Sequence, residues 1–132
     1  IFGSTGANKT ALAQNIVLGY NADHDQIIKE KQIPTLFLSL ELSGYVMHRR
    51  NLQIVSGVNK DTVMKNYKSL YEFHKEELSH IIMQSVSPTI PQIQEKIKQL
   101  QPKCVVIDYI DLFLYENYLY FFFLNYLPVS VL

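Results

Sequence analysis

The stretch Gly3-Ser4-Thr5-Gly6-Ala7-Asn8-Lys9-Thr10 follows an apolar stub, Ile1-Phe2, and runs directly into a helical pattern. A glycine-bearing loop ending in Lys-Thr at a helix start is suited to anions. Backbone N–H groups converge on a polyphosphate, the helix N-terminus adds partial positive charge, Lys9 brings an ammonium and Thr10 a hydroxyl that can ligate magnesium. The template for such a loop is G-x-x-x-x-G-K-[ST], and Asn8 stands where its second glycine is expected. Asn is the non-glycine residue that best tolerates left-handed backbone. Asn8 therefore serves if the position demands that conformation, and obstructs if bare backbone must approach phosphate.

Outward from the loop, Leu12, Ile16 and Tyr20 recur at i, i+4 and i+8 with Ala13 and Val17 beside them, predicting a helix with that apolar face. Asn21 to Gln32 is polar and aperiodic and reads as a surface connection. Thr35 to Leu40 reads as a strand buried on both faces, ending at Glu41. Ser43 is placed to cap a helix with a Leu42, Tyr45, Leu52, Val55 stripe that stops at Gly57 and carries Arg49 and Arg50. Asp61 is placed to cap a short turn, and Tyr67, Leu70, Tyr71, His74 and Leu78 predict a helix over about Lys68 to Ser79. His80 to Ser85 reads as a strand. Thr89-Ile90-Pro91-Gln92 has the form of a capping box, opening a helix whose inner face is Ile90, Ile93, Ile97 and Leu100. Cys104-Val105-Val106-Ile107-Asp108 then reads as an apolar strand ending in a carboxylate.

Strands and helices in this alternation predict an α/β domain with a parallel sheet and right-handed crossovers. Ligands in such sheets bind beyond the carboxyl ends of the strands. The glycine-bearing loop, Glu41 and Asp108 each follow a strand, so all three are expected at one crevice. A carboxylate there can hold a magnesium-bound water, and a second can orient and deprotonate an attacking water.

Lys plus Arg equals Asp plus Glu at 12 each, so no overall basic field marks a nucleic-acid or acidic-membrane partner. A single cysteine, Cys104, excludes an internal disulfide and points to a reducing compartment. His24, His48, His74 and His80 lack metal-ligand spacing. The first residues do not have the charged-then-apolar pattern of a leader, so secretion is not expected.

These motifs, in order, resemble the DnaB-type replicative DNA helicases and their RecA-like motor domain, over about Ile1 to Phe113. Gly3 to Thr10 with Ala11-Leu12-Ala13 is similar to the family's phosphate loop and first helix. Ser39-Leu40-Glu41-Leu42-Ser43 resembles its Ser-Leu-Glu-Met-Ser segment, and Arg50 falls at the spacing of an arginine in the next helix. Ser56-Gly57-Val58 with Asp61 is similar to the following linker. Val106-Ile107-Asp108-Tyr109-Ile110-Asp111-Leu112 resembles the Walker B strand, with Asp111 where Gln is common. The resemblance implies a P-loop NTPase fold, present here as an incomplete RecA-like parallel sheet flanked by helices over residues 1–113. It also implies ATP and Mg2+ as cofactors. Gly3, Ser4, Thr5, Gly6, Ala7, Asn8, Lys9 and Thr10 would bind the nucleotide, Lys9 neutralising the β- and γ-phosphates. Thr10 and Asp108 would hold the metal, and Glu41 would be general base. It implies ATP-driven unwinding of DNA by a homo-hexamer that binds single-stranded DNA in the full-length protein, through segments beyond this stretch and without a membrane. The expected compartment is the cytoplasm, or an organelle such as a plastid. Two other readings share the loop and strand logic: a non-catalytic nucleotide-binding or ring-assembly module, and another RecA-like ATPase of KaiC or repair type.

Residues 114–132 depart from this pattern as a divergent aromatic tail, with Tyr115, Tyr118, Tyr120, Phe121, Phe122, Phe123 and Tyr126 crowded together. Glu116, Asn117, Asn125 and Pro128 interrupt it, which argues against a membrane span. The tail is expected to lie outside the helicase-like reading frame.

Overall fold

The computed structural model describes residues 8–39, 42–84, 89–108 and 130–131. In chain order the elements are α1 (Lys9–Leu18), β1 (Tyr20–Asn21), β2 (Gln26–Ile27), a 3-10 turn (Lys29–Lys31), β3 (Thr35–Ser39), α2 (Gly44–Ser56), α3 (Lys60–Lys65), α4 (Tyr67–Leu78), β4 (Ile81–Gln84), α5 (Ile90–Leu100), β5 (Cys104–Asp108) and β6 (Ser130–Val131). The expected mixed α/β architecture is present. β4, β3 and β5 form a small parallel sheet flanked by helices, and β6 extends it in the order β4-β3-β5-β6. The expected strand at Ile1-Phe2 lies outside the described residues, as does the aromatic tail apart from β6.

The sheet core follows from side-chain alternation. Phe37, Cys104 and Val106 point to one face, where Ala13 and Val17 of α1 and Met47 of α2 pack on them. Leu36, Leu38 and Val105 point to the other and are equally buried. From β3 the chain moves outward to β4, and from β4 it returns past β3 to β5. Met47 places α2 on the same face of the sheet as α1.

Local chemistry sets the boundaries. The Ser43 hydroxyl accepts from the Val46 N–H, and Gly57 ends α2 in a left-handed turn at φ 67°. α3 is capped by Asn59, whose Oδ1 accepts from the Thr62 N–H at 2.9 Å, and not by Asp61, which falls in the first turn. The earlier position wins because the capping side chain must precede the N–H it satisfies by three residues. At α5, Gln92 Oε1 accepts from the Thr89 N–H at 3.0 Å, as the capping-box pattern requires.

Four further expected features are corrected. The outward residues of α1 are Leu12 and Ile16, 50% and 38% exposed, while Ala13, Gln14, Val17 and Leu18 face inward. Two small or amide-bearing side chains let α1 approach α2 and the sheet closely, and apolar period alone does not register that. Tyr20 is not in α1, because Gly19 ends it at φ 72°. The segment read as a plain connection contains the β1–β2 hairpin, stabilised by the Tyr20 hydroxyl donating to Asp25 Oδ1 at 2.7 Å and the Asp23 N–H donating to Asn21 Oδ1 at 3.0 Å. Two-residue strands are too short to show alternation. The stripes of α2 and α5 are also narrower than their periods imply: Leu52 and Ile93 are buried as expected, but Tyr45 is 51% and Leu100 37% exposed, and Met47 and Asn51 are buried on α2. Among the described residues no helix is long and apolar enough to cross a membrane.

Candidate functional site

At the carboxyl edge of the sheet, β3 and β5 lie side by side in parallel register, with Ser39 opposite Asp108. Beyond β3 the chain turns toward β4, whereas β6 is on the far side of β5. Neighbouring strands whose connections leave in opposite directions open a crevice at their carboxyl ends, the usual ligand position in an open parallel sheet.

α1 starts at this edge of the sheet. Thr10, in its first turn, donates its hydroxyl to Asp108 Oδ2 at 2.6 Å, joining two residues 98 positions apart. Both are partly buried. No acidic residue occupies the first turn of α1, so its positive end is not neutralised by its own side chains. Lys9 precedes Thr10 and is half-buried.

Asn8 caps α1 with φ 54° and ψ 29°, in the left-handed region. Its carbonyl accepts from the Leu12 N–H at 2.9 Å, closing the first helical turn, and its side chain makes no capping bond. The position demands left-handed backbone, which Asn supplies at less strain than other non-glycine residues.

Of the residues singled out in the sequence, the structure brings Thr10 and Asp108 together and sets Asn8 and Lys9 immediately before them. Gly3, Ser4, Thr5, Gly6, Ala7 and Glu41 lie outside the described residues. The approach to Glu41 is visible as far as Ser39, whose buried hydroxyl accepts from the Leu42 N–H at 2.9 Å, bridging the segment between them. Arg49 and Arg50 are half-buried on α2, neither one fully solvated.

A hydroxyl and a carboxylate are hard oxygen donors of the kind magnesium selects, and they sit where a first-turn helix residue and a strand-end residue can share one ion. Thr10 and Asp108 therefore fit a magnesium ion. No group of three or more His, Cys, Asp or Glu side chains among the described residues forms a separate metal site.

Two concavities lie elsewhere. One of about 420 Å³ is lined by Lys65, Asn66, Lys68, Ser69 and Glu72, and one of about 340 Å³ by Gly44, Tyr45, His48, Tyr67, Ile81 and Met83. Both are shallow, and neither includes Thr10 or Asp108. The site is marked by the convergence of side chains and topology, since the residues expected to wall it are outside the described set.

Sequence reasoning misses a buried amide pair behind the site. Gln14 Nε2 donates to Asn51 Oδ1 at 2.7 Å and to the Met47 carbonyl at 3.0 Å, linking α1 to α2. The one available signal is an amide at Gln14, one turn after Thr10.

Compared with protein-family models, curated proteins and solved structures, the chain matches none.

Proposed function

We propose that this chain carries the ATP site of a P-loop, RecA-like motor, and that it works as the ATP-hydrolysing part of a replicative DNA helicase. The observation that carries the reading is the Thr10–Asp108 hydrogen bond at the switch point of a parallel sheet. A Lys-Thr pair at the start of a helix and a carboxylate at the end of an apolar strand are the residue types a magnesium-nucleotide site uses, and the contact between Thr10 and Asp108 supports that reading. The left-handed Asn8 supports it, because the backbone at the replaced position keeps a conformation that glycine adopts freely.

In this mechanism Lys9 places its ammonium against the β- and γ-phosphates while the N-terminus of α1 offers backbone N–H groups to the same anion. Magnesium, when bound, neutralises phosphate charge and aligns the transferring group. Thr10 and Asp108 would hold that ion. Glu41 would orient the attacking water and accept its proton. In the full-length protein the reading extends to a homo-hexamer that translocates on single-stranded DNA in the cytoplasm or an organelle.

The test is titration of a fluorescent ATP analogue with magnesium into the chain and into its Lys9→Ala variant. Binding that is weakened by the substitution and by magnesium removal is expected. Equal binding by both proteins would sink the reading. Binding without ATP hydrolysis would shift it to a nucleotide-binding module without turnover.

A further inference from the structure

Gln14 is fully buried and Asn51 is 2% exposed, on inward positions of α1 and α2 where apolar side chains would fill the same space. Gln14 Nε2 donates to both Asn51 Oδ1 and the Met47 carbonyl, and Asn51 Nδ2 reaches Met83 Sδ at 3.7 Å. This fixes the orientation of the Gln14 amide, since turning it over would set its oxygen against two acceptors. It also leaves Gln14 Oε1 buried and without a partner among the described residues. An amide held in this way stabilises less than a well-packed Leu or Met. What it adds is direction. Apolar side chains tolerate several axial offsets between helices, whereas two donor–acceptor bonds accept one.

Thr10 lies four residues before Gln14, on the same face of α1. Sliding α1 by one residue moves Thr10 about 1.5 Å, enough to break its hydroxyl bond to Asp108. We propose that Gln14 and Asn51 are positioning residues, an amide lock that sets the register of α1 on α2 and thereby holds Thr10 against Asp108. Their effect on magnesium-nucleotide binding rests on the function proposed above. Their effect on the Thr10–Asp108 contact does not.

Three variants separate positioning from packing. Gln14→Met removes the donors but leaves Asn51 Oδ1 unpaired. Gln14→Met/Asn51→Leu replaces both partners by apolar groups and keeps the core filled. Gln14→Asn/Asn51→Gln exchanges the amides and keeps a donor and an acceptor facing each other between α1 and α2. Two quantities are measured in each: protection of the Thr10 hydroxyl proton from solvent exchange by NMR, and the ratio of affinities for a fluorescent ATP analogue with and without magnesium.

In the apolar double variant the Thr10 proton is expected to lose protection and the magnesium ratio to fall about tenfold, the lower end of what losing a residue that orients a metal ligand costs. The exchanged pair is expected to restore both. A folded apolar variant with native Thr10 protection overturns the proposal. So does a folded exchanged pair that fails to protect Thr10, which remains decisive if the apolar variant does not fold. Should no protein bind the analogue, the nucleotide reading fails while hydroxyl protection still decides whether the lock positions Thr10.

Discussion

The Thr10 hydroxyl donates to Asp108 Oδ2 at 2.6 Å, tying the first turn of α1 to the carboxyl end of β5 across 98 residues of sequence. A hydrogen bond to a partly buried carboxylate contributes about 1.5–3 kcal/mol, and removing its donor leaves the carboxylate less well satisfied. Thr10→Val, close to isosteric, is expected to destabilise the chain by about 1–2 kcal/mol in urea unfolding, and Thr10→Ser by much less. Equal stability of the Val variant and wild type would show that the contact contributes nothing to the fold.

This relationship is partly legible in the amino-acid sequence. Lys9-Thr10 before a helical period and Asp108 after an apolar run each announce a position in an α/β sheet, and the sheet rule brings such positions to one edge. The inward face of α1 is not legible. Leu12 and Ile16 carry the stronger apolar period yet point outward, because helix packing here selects Ala13 and Gln14 for close approach. The β1–β2 hairpin is hidden for a different reason. Its stability comes from the side chains of Tyr20, Asn21 and Asp25 satisfying a turn, which leaves no trace in hydropathy. Gln14 and Asn51 are invisible as a pair because nothing local links an amide on one helix to an amide on the next.

Asn8 occupies the left-handed region at φ 54°, so its substitutions divide by backbone cost. Asn8→Gly relieves the remaining strain and is expected to leave stability equal or slightly higher. Asn8→Ala places a Cβ in that region without the local polar compensation of Asn and is expected to cost about 1 kcal/mol. Thermal unfolding of the two variants checks the order. An Ala variant as stable as the Gly variant would argue against a left-handed Asn8.

Gly19 and Gly57 both have positive φ, at 72° and 67°, yet they face different surroundings. A Cβ on Gly19 would lie 2.6 Å from the Ile28 carbonyl oxygen and 3.0 Å from the Gln32 nitrogen, both backbone atoms that cannot swing aside. A Cβ on Gly57 would meet nothing within 4 Å. Gly57→Ala therefore carries only the left-handed penalty, about 1–2 kcal/mol. Gly19→Ala adds overpacking against the β2 segment, and a total of about 3 kcal/mol or more is expected. Urea unfolding of the two variants should show a clearly larger loss for Gly19→Ala, and a loss equal to that of Gly57→Ala would mean that the close approach of the Ile28 segment is absent.

His48 on α2 meets α4 through its ring, with Tyr71 centred 5.3 Å away and the Tyr67 hydroxyl 3.1 Å from its Nδ1. Burial holds its pKa below the usual 6.5, because the charged imidazolium is the form that loses hydration. The folded chain therefore binds this proton more weakly than the unfolded chain. The sign follows: stability from neutral His48 is fully present above pH 6.5 and is lost as pH falls through the lower folded value. His48→Gln removes this dependence while every other side chain is common to both proteins, so the difference between wild type and variant isolates His48. At about pH 7.5 the variant is expected to be the less stable, having lost the ring contacts, and the gap should narrow steadily toward about pH 5, as the unfolded wild type takes up a proton that the folded chain binds more weakly. Urea unfolding at several pH values measures the gap directly. A gap that stays constant over that range would mean that the imidazole is solvated well enough to ionise at no cost, and that α2 and α4 do not close over it.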